Sequence, residues 1–104
     1  MFELMINGGE ANEERYSVKE YSVKVNVDDR RLILSFITSD DIEIKYDIHA
    51  DTRASDINLI KKHLDEEYEK AEKERITYEI SEYPERNYIY VGGENLKQYT
   101  GVRV

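Results

Sequence analysis

Ile42-Glu43-Ile44-Lys45-Tyr46-Asp47-Ile48-His49 alternates strictly between large apolar and polar side chains. Successive side chains of an extended chain point to opposite faces, so this stretch reads as a strand with one buried and one wetted face. Its flanks extend the reading into a sheet. Just upstream, Arg31-Leu32-Ile33-Leu34-Ser35-Phe36-Ile37-Thr38 carries apolar residues on both faces, as a central strand does. Further upstream, Tyr21, Val23, Val25 and Val27 alternate with Ser22, Lys24 and Asn26. Tyr16 and Val18 are out of phase with that set, so either a β-bulge near Lys19-Glu20 reconciles them or the strand starts late. Asp28-Asp29-Arg30 and Ser39-Asp40-Asp41 are short polar connections, which make the strands antiparallel neighbours.

Downstream the period changes. Ile57, Ile60, Leu64, Tyr68 and Ala71 recur every three or four residues and form one apolar stripe of a helix. Ser55 is the expected N-cap, with Asp56 in the first turn. Glu66 with Lys70 and Glu69 with Lys73 are spaced to pair along the helix. Alternation then returns in Ile76-Thr77-Tyr78-Glu79-Ile80 and in Asn87-Tyr88-Ile89-Tyr90-Val91, with a Pro84 loop between them and a Gly92-Gly93 turn after. Lys97 to Val104 is expected to add an edge strand. The reading is one α+β domain over 1–104. It is an antiparallel sheet of five to six strands in the order β-β-β-β-α-β-β, with one long helix on one face. Residues 7–15, polar, acidic and glycine-bearing, are expected to be a flexible acidic loop.

Composition excludes several classes of function. The chain has no cysteine, which removes disulfides, thiolate nucleophiles and sulfur-based zinc sites. No stretch approaches the roughly 18 apolar residues of a membrane span. Met1 to Ile6 has no basic region ahead of its apolar residues and reads as structure rather than a secretion signal, so a cytoplasmic location is expected, in the host cytoplasm if the chain is viral. Charged residues make up 37% of the chain and the formal charge is −8. Phosphate recognition needs clustered Lys and Arg, so direct binding to nucleic acid or to an anionic membrane is disfavoured. A basic protein surface is the favoured partner, although the same charge also serves solubility.

No catalytic motif stands out. Asp47, His49 and Asp51 share one face of an extended chain and are spaced for a divalent cation, but they suit a solvated strand face as well. His63 lies beside Glu66 and Glu67, but a His-x-x-x-Glu pair alone supplies two ligands where metal sites use three or four. There is no Gly-x-Ser-x-Gly elbow, and the glycine pairs lack the companions of a phosphate loop. The chain is therefore expected to be no enzyme and to carry no metal or cofactor.

Two features point to binding. Asp40, Asp41, Glu43 and Asp47 gather carboxylates on one strand and its turn, with Glu43 and Asp47 about 13 Å apart at roughly 3.3 Å per residue. Such a row can imitate part of a phosphate track. Glu79, Glu82 and Glu85 form a second acidic group near Pro84. Tyrosine is abundant, with nine copies against two Phe and no Trp. Tyr21, Tyr46, Tyr68 and Tyr78 fit core positions with hydroxyls reaching the edge. Tyr83, Tyr88, Tyr90 and Tyr99 cluster by the last hairpin, and of these Tyr83, Tyr88 and Tyr90 are the expected anchors for a partner.

The sequence therefore favours a non-enzymatic acidic protein that occludes a basic, nucleic-acid-binding surface of a partner such as a nuclease. Phage anti-CRISPR and anti-restriction inhibitors and toxin-immunity proteins are small and acidic in this way, an analogy of size and charge alone. The alternative is an assembly module. It would self-associate, for example as a homodimer, through the sheet face bearing Ile33 and Ile37 or through an edge strand.

Overall fold

The computed structural model describes residues 1–93 and 96–104. The alternating segments become seven strands: β1 (Phe2–Ile6), β2 (Glu14–Asn26), β3 (Arg31–Thr38), β4 (Glu43–His49), β5 (Tyr78–Tyr83), β6 (Tyr88–Val91) and β7 (Lys97–Arg103). One long helix, α1 (Ile57–Glu74), lies between β4 and β5, so the fold is α+β as expected. The sheet differs from the expected open one. Its order is β1-β2-β3-β4-β7-β6-β5, and it closes into a barrel through a parallel pairing of β1 with β5. All other neighbours are antiparallel. Closure removes the two free edges that an open sheet of this length would expose.

Alternation holds strand by strand. Leu4, Ile6, Leu32, Leu34, Phe36, Ile44, Tyr46, Ile48, Ile80 and Ile89 are buried in the core. The pairing of β2 with β3 shifts register between Val18 and Glu20, the expected bulge. That extra residue lets Val18 and Val23 both face inward although they are five apart. On β7, Gly101 is the point of closest approach to β4. A Cβ there would stand 2.6 Å from the Asp47 carbonyl oxygen, so this crossing requires a glycine.

Helix α1 packs against β2 and β3. Its buried residues are Ile57, Leu64, Tyr68 and Ala71, with Ile60 partly buried, which is the stripe read from the sequence. Tyr68 reaches an aromatic cluster of Phe2, Tyr21, Phe36 and Tyr78, with ring centroids between 4.6 and 6.4 Å from its own. Phe2 and Tyr78 open the parallel strands β1 and β5, so the helix covers that end of the barrel. One detail of the expected helix changes. Ser55 is not the N-cap: a 3-10 turn over Ala54–Asp56 leads in, and Asp56 caps α1 without a side-chain hydrogen bond. Glu69 pairs with Lys73 at 3.2 Å as expected, and Lys70 also comes within 3.9 Å of Glu74.

Other expectations shift as well. Tyr68 and Tyr78 do not send their hydroxyls to the edge. Both are buried within the cluster, and neither makes a hydrogen bond of normal geometry among the described residues. Residues 14 and 15 belong to β2, so the acidic loop is shorter than 7–15. It folds as two successive turns, with Glu10 N donating to Asn7 O and Glu13 N to Glu10 O. Ile33 and Ile37 do lie on the outer face, half-buried. Their cross-strand neighbours are Lys24 and Asp47, and Glu20 and Glu43, which break up any apolar stripe there. Among the described residues no helix is long and apolar enough to cross a membrane.

Candidate functional site

The barrel end away from α1 is built differently. Asn7 follows β1, Glu14 and Tyr16 open β2, Glu82 sits near the end of β5, and Arg103 closes β7. The register brings these distant positions together with Tyr46 of β4, which lies opposite Arg103. The Arg103 guanidinium donates to Glu82 through Nε and Nη2, both at 2.7 Å. Its Nη1 donates to Glu14 at 3.0 Å, and Nη2 also pairs with Glu14. Tyr46 Oη donates to Glu82 at 2.9 Å, and Tyr16 Oη to Glu14 at 2.6 Å. Asn7 donates to the Glu82 carboxylate at 3.0 Å and accepts from the Glu82 amide at 2.7 Å. Asn7 holds a left-handed φ of 55°, a conformation that asparagine tolerates better than most residues.

This geometry sets the charges. Glu82 is the more enclosed of the two carboxylates, its side chain 13% exposed against 32% for Glu14. Burial alone would raise its carboxyl pKa, but the bonds from Arg103, Tyr46 and Asn7 outweigh that and hold it below the usual carboxylate range. The Arg103 bond likewise lowers Glu14. Burial pushes the Tyr46 phenol up, helped by Glu82. Every member is thus fixed in its neutral-pH state and already bonded. None is poised to move a proton near neutral pH, so the cluster is a strut that ties β1, β2, β4, β5 and β7 together at the mouth.

Around the strut lie two clefts that share Glu82, Tyr83 and Pro84. The first, about 520 Å³, runs from Tyr83, Pro84 and Tyr88 across to Gly101, Val102 and Arg103. The second, about 310 Å³, is lined by Asn7, Gly8, Glu10, Asn12, Ser81, Glu82, Tyr83, Pro84 and Glu85. Of its three carboxylates, Glu82 is already held by Arg103, which leaves Glu10 and Glu85. Glu10 and Glu85 are exposed and make no ion pair among the described residues. Pro84 starts a 3-10 turn over Pro84–Arg86 that ends on Asn87 at φ 54°, and this turn holds up the ridge between the clefts.

The expected tyrosines sit on this rim. Tyr83 is 42% and Tyr88 38% exposed, and Val102 across the cleft is 47% exposed. Tyr90 is less open. Its ring meets that of Tyr83 edge-on at 5.5 Å, and its hydroxyl donates to Gln98 at 3.0 Å. It therefore props Tyr83 rather than standing free. Tyr99 turns inward and packs against the core.

The expected carboxylates of the β4 region fare differently. Asp41 pairs with Lys19, Glu43 with Lys45 at 3.5 Å, and Asp47 with Arg31 at 3.0 Å. Three of the four are thus matched by bases from β2, β3 and β4, and the row no longer forms an unopposed anionic track. Asp40, exposed on the turn, has no ion pair among the described residues. The bases were visible in the sequence, but only the strand register shows that they lie beside these acids. Asp47 is likewise taken up by Arg31, and no group of three or more His, Cys, Asp or Glu suited to a metal occurs among the described residues.

Sequence reasoning placed Glu82 and Glu85 near Pro84 but missed Glu10, Glu14, Asn7 and Arg103. No local pattern links them, because Glu14 and Arg103 are 89 residues apart. In comparisons with protein-family models, with curated proteins and with solved structures, the chain finds no match.

Proposed function

We propose that the protein is an acidic binding module without catalytic activity, and that it covers a basic, nucleic-acid-binding surface of a partner protein. The observation that carries this reading is the pairing of exposed Tyr83 and Tyr88 with an adjoining cleft lined by Glu10 and Glu85, which make no ion pair among the described residues. Tyrosines supply large desolvated area at low entropic cost, and unopposed carboxylates steer and orient a basic partner. Size and charge set the module beside phage inhibitors of nucleases and toxin-immunity proteins, by analogy only. The contact surface is the mouth: Tyr83, Tyr88, Glu10 and Glu85, with Tyr90 as support. Asp40 stays exposed on the turn before β4, and Asp41, Glu43 and Asp47 act first within their own ion pairs.

The test is photo-crosslinking in host-cell extract from a benzoylphenylalanine placed at position 83 or 88. Position 24, on a strand across the barrel, serves as the control. One protein with a basic nucleic-acid-binding surface, captured from 83 and 88 but not from 24, supports the reading. Equal capture from all three positions, or capture only of acidic proteins, overturns it.

A further inference from the structure

The larger cleft exists because β7 outruns β6. Their pairing ends with Tyr88 opposite Thr100, while the pairing of β7 with β4 continues to Arg103 opposite Tyr46. Gly101 N still donates to Asn87 O at 2.8 Å. The Asn87 amide, however, turns away to Pro84 O at 3.2 Å, and the chain leaves the sheet there. Backbone groups of a strand alternate sides. Gly101 faces the β6 side, Val102 pairs with Asp47 on the β4 side, and so the amide and carbonyl of Arg103 face the β6 side again. They look into the cleft of about 520 Å³. Among the described residues the barrel thus keeps a short length of unpaired strand edge here, flanked by exposed Tyr88 and Val102.

We infer that this edge takes an extended segment of the partner as an added strand, antiparallel to β7, with apolar and basic residues alternating. The inference rests on the proposed binding function and gives it a mode. An edge supplies main-chain bonds, and alternate side chains supply selectivity. Apolar residues of the segment face Tyr88 and Val102. Basic residues extend over the Pro84 ridge to Glu85 and Glu10, and the Arg103 that lines the larger cleft is already engaged by Glu82 and Glu14. Charge complementarity thus selects a basic occupant. An acidic segment would meet the same carboxylates and be repelled.

The probe is the peptide acetyl-Lys-Val-Lys-Val-Lys-amide, titrated into the full chain and followed by backbone-amide NMR and hydrogen exchange. The expected result is shifts centred on Gly101, Arg103, Tyr83 and Tyr88, with the Arg103 amide protected on the order of tenfold. N-methylation of the central lysine, which lies opposite Arg103 and keeps its side chain but loses the donor, is expected to abolish that protection. The Glu-Val-Glu-Val-Glu peptide is expected not to bind. If the N-methylated peptide binds as well as the parent, with shifts confined to the tyrosines, strand addition is overturned while the acidic binding surface stands. If no residue at the mouth shifts at millimolar peptide, both fall. Protection of Arg103 without peptide that disappears on dilution assigns the edge to a second copy of this chain and overturns the partner assignment.

Discussion

Arg103 holds two carboxylates that cannot otherwise share the mouth. Glu82 is bonded on both oxygens, and its enclosure means that a lost partner is not replaced freely by water. Removing one member of an enclosed ion pair costs more than the pair itself contributes, because the remaining charge stays desolvated. Arg103→Ala is therefore expected to lower the unfolding free energy in urea by about 2 kcal/mol, less than for a fully buried pair because Arg103 and Glu14 keep some solvent. Adding Glu82→Gln to that variant is expected to restore part of the loss. A double variant no more stable than Arg103→Ala contradicts the strut. This cluster also shows where sequence reading stops. Glu82 was placed near Pro84 by simple proximity along the chain, but nothing local to Arg103 indicates that its two carboxylates lie on β2 and β5.

Among the elements, the legible ones were those with a period. The alternation of Ile42 to Ile48 predicted β4, and the phase break at Lys19-Glu20 predicted the bulge in β2. The spacing of Ile57, Leu64, Tyr68 and Ala71 predicted the buried stripe of α1. The barrel was not legible, because its closure depends on β1 meeting β5 in parallel, with Leu4 opposite Tyr78. Pairing between strands more than seventy residues apart leaves no mark on either strand's own pattern. The docking of α1 follows from its stripe and not from its exposed ion pairs. Leu64→Ala is expected to cost about 2–4 kcal/mol, as buried leucines do. Lys73→Ala, which breaks the exposed pair with Glu69, is expected to cost less than about 0.5 kcal/mol. Thermal or urea unfolding of the two variants checks this ordering, and similar losses would contradict it.

Across the whole molecule, buried carboxylates and buried phenols make stability respond to opposite extremes of pH. Glu14 and Glu82 titrate below the ordinary carboxylate range in the folded chain. Their contribution is present above the unfolded carboxylate value of about 4.3 and is lost as pH falls through their lowered values. Burial raises Tyr46, Tyr68 and Tyr78. Stability from keeping these phenols neutral is complete below about pH 10, where unfolded tyrosine titrates, and is lost as pH rises beyond it. Unfolding followed across pH is expected to show a plateau with losses on both sides, the acid loss shrinking in Arg103→Ala. An acid limb unchanged by that substitution would place the acid sensitivity elsewhere.

At the same scale, net charge alone does not make a binding surface. Asp41, Glu43 and Asp47 are matched by Lys19, Lys45 and Arg31, whereas among the described residues Glu10 and Glu85 make no ion pair and lie beside exposed Tyr83. The most direct measurement of the central claim is the rate of association with the crosslinked partner as a function of salt, in the parent chain and in Glu10→Gln/Glu85→Gln. The expected result is a parent rate that falls by on the order of tenfold from low to high salt, and a variant that associates more slowly at low salt with a flatter dependence. A rate that ignores salt and is the same in both chains would contradict the claim that the mouth is an electrostatic docking surface.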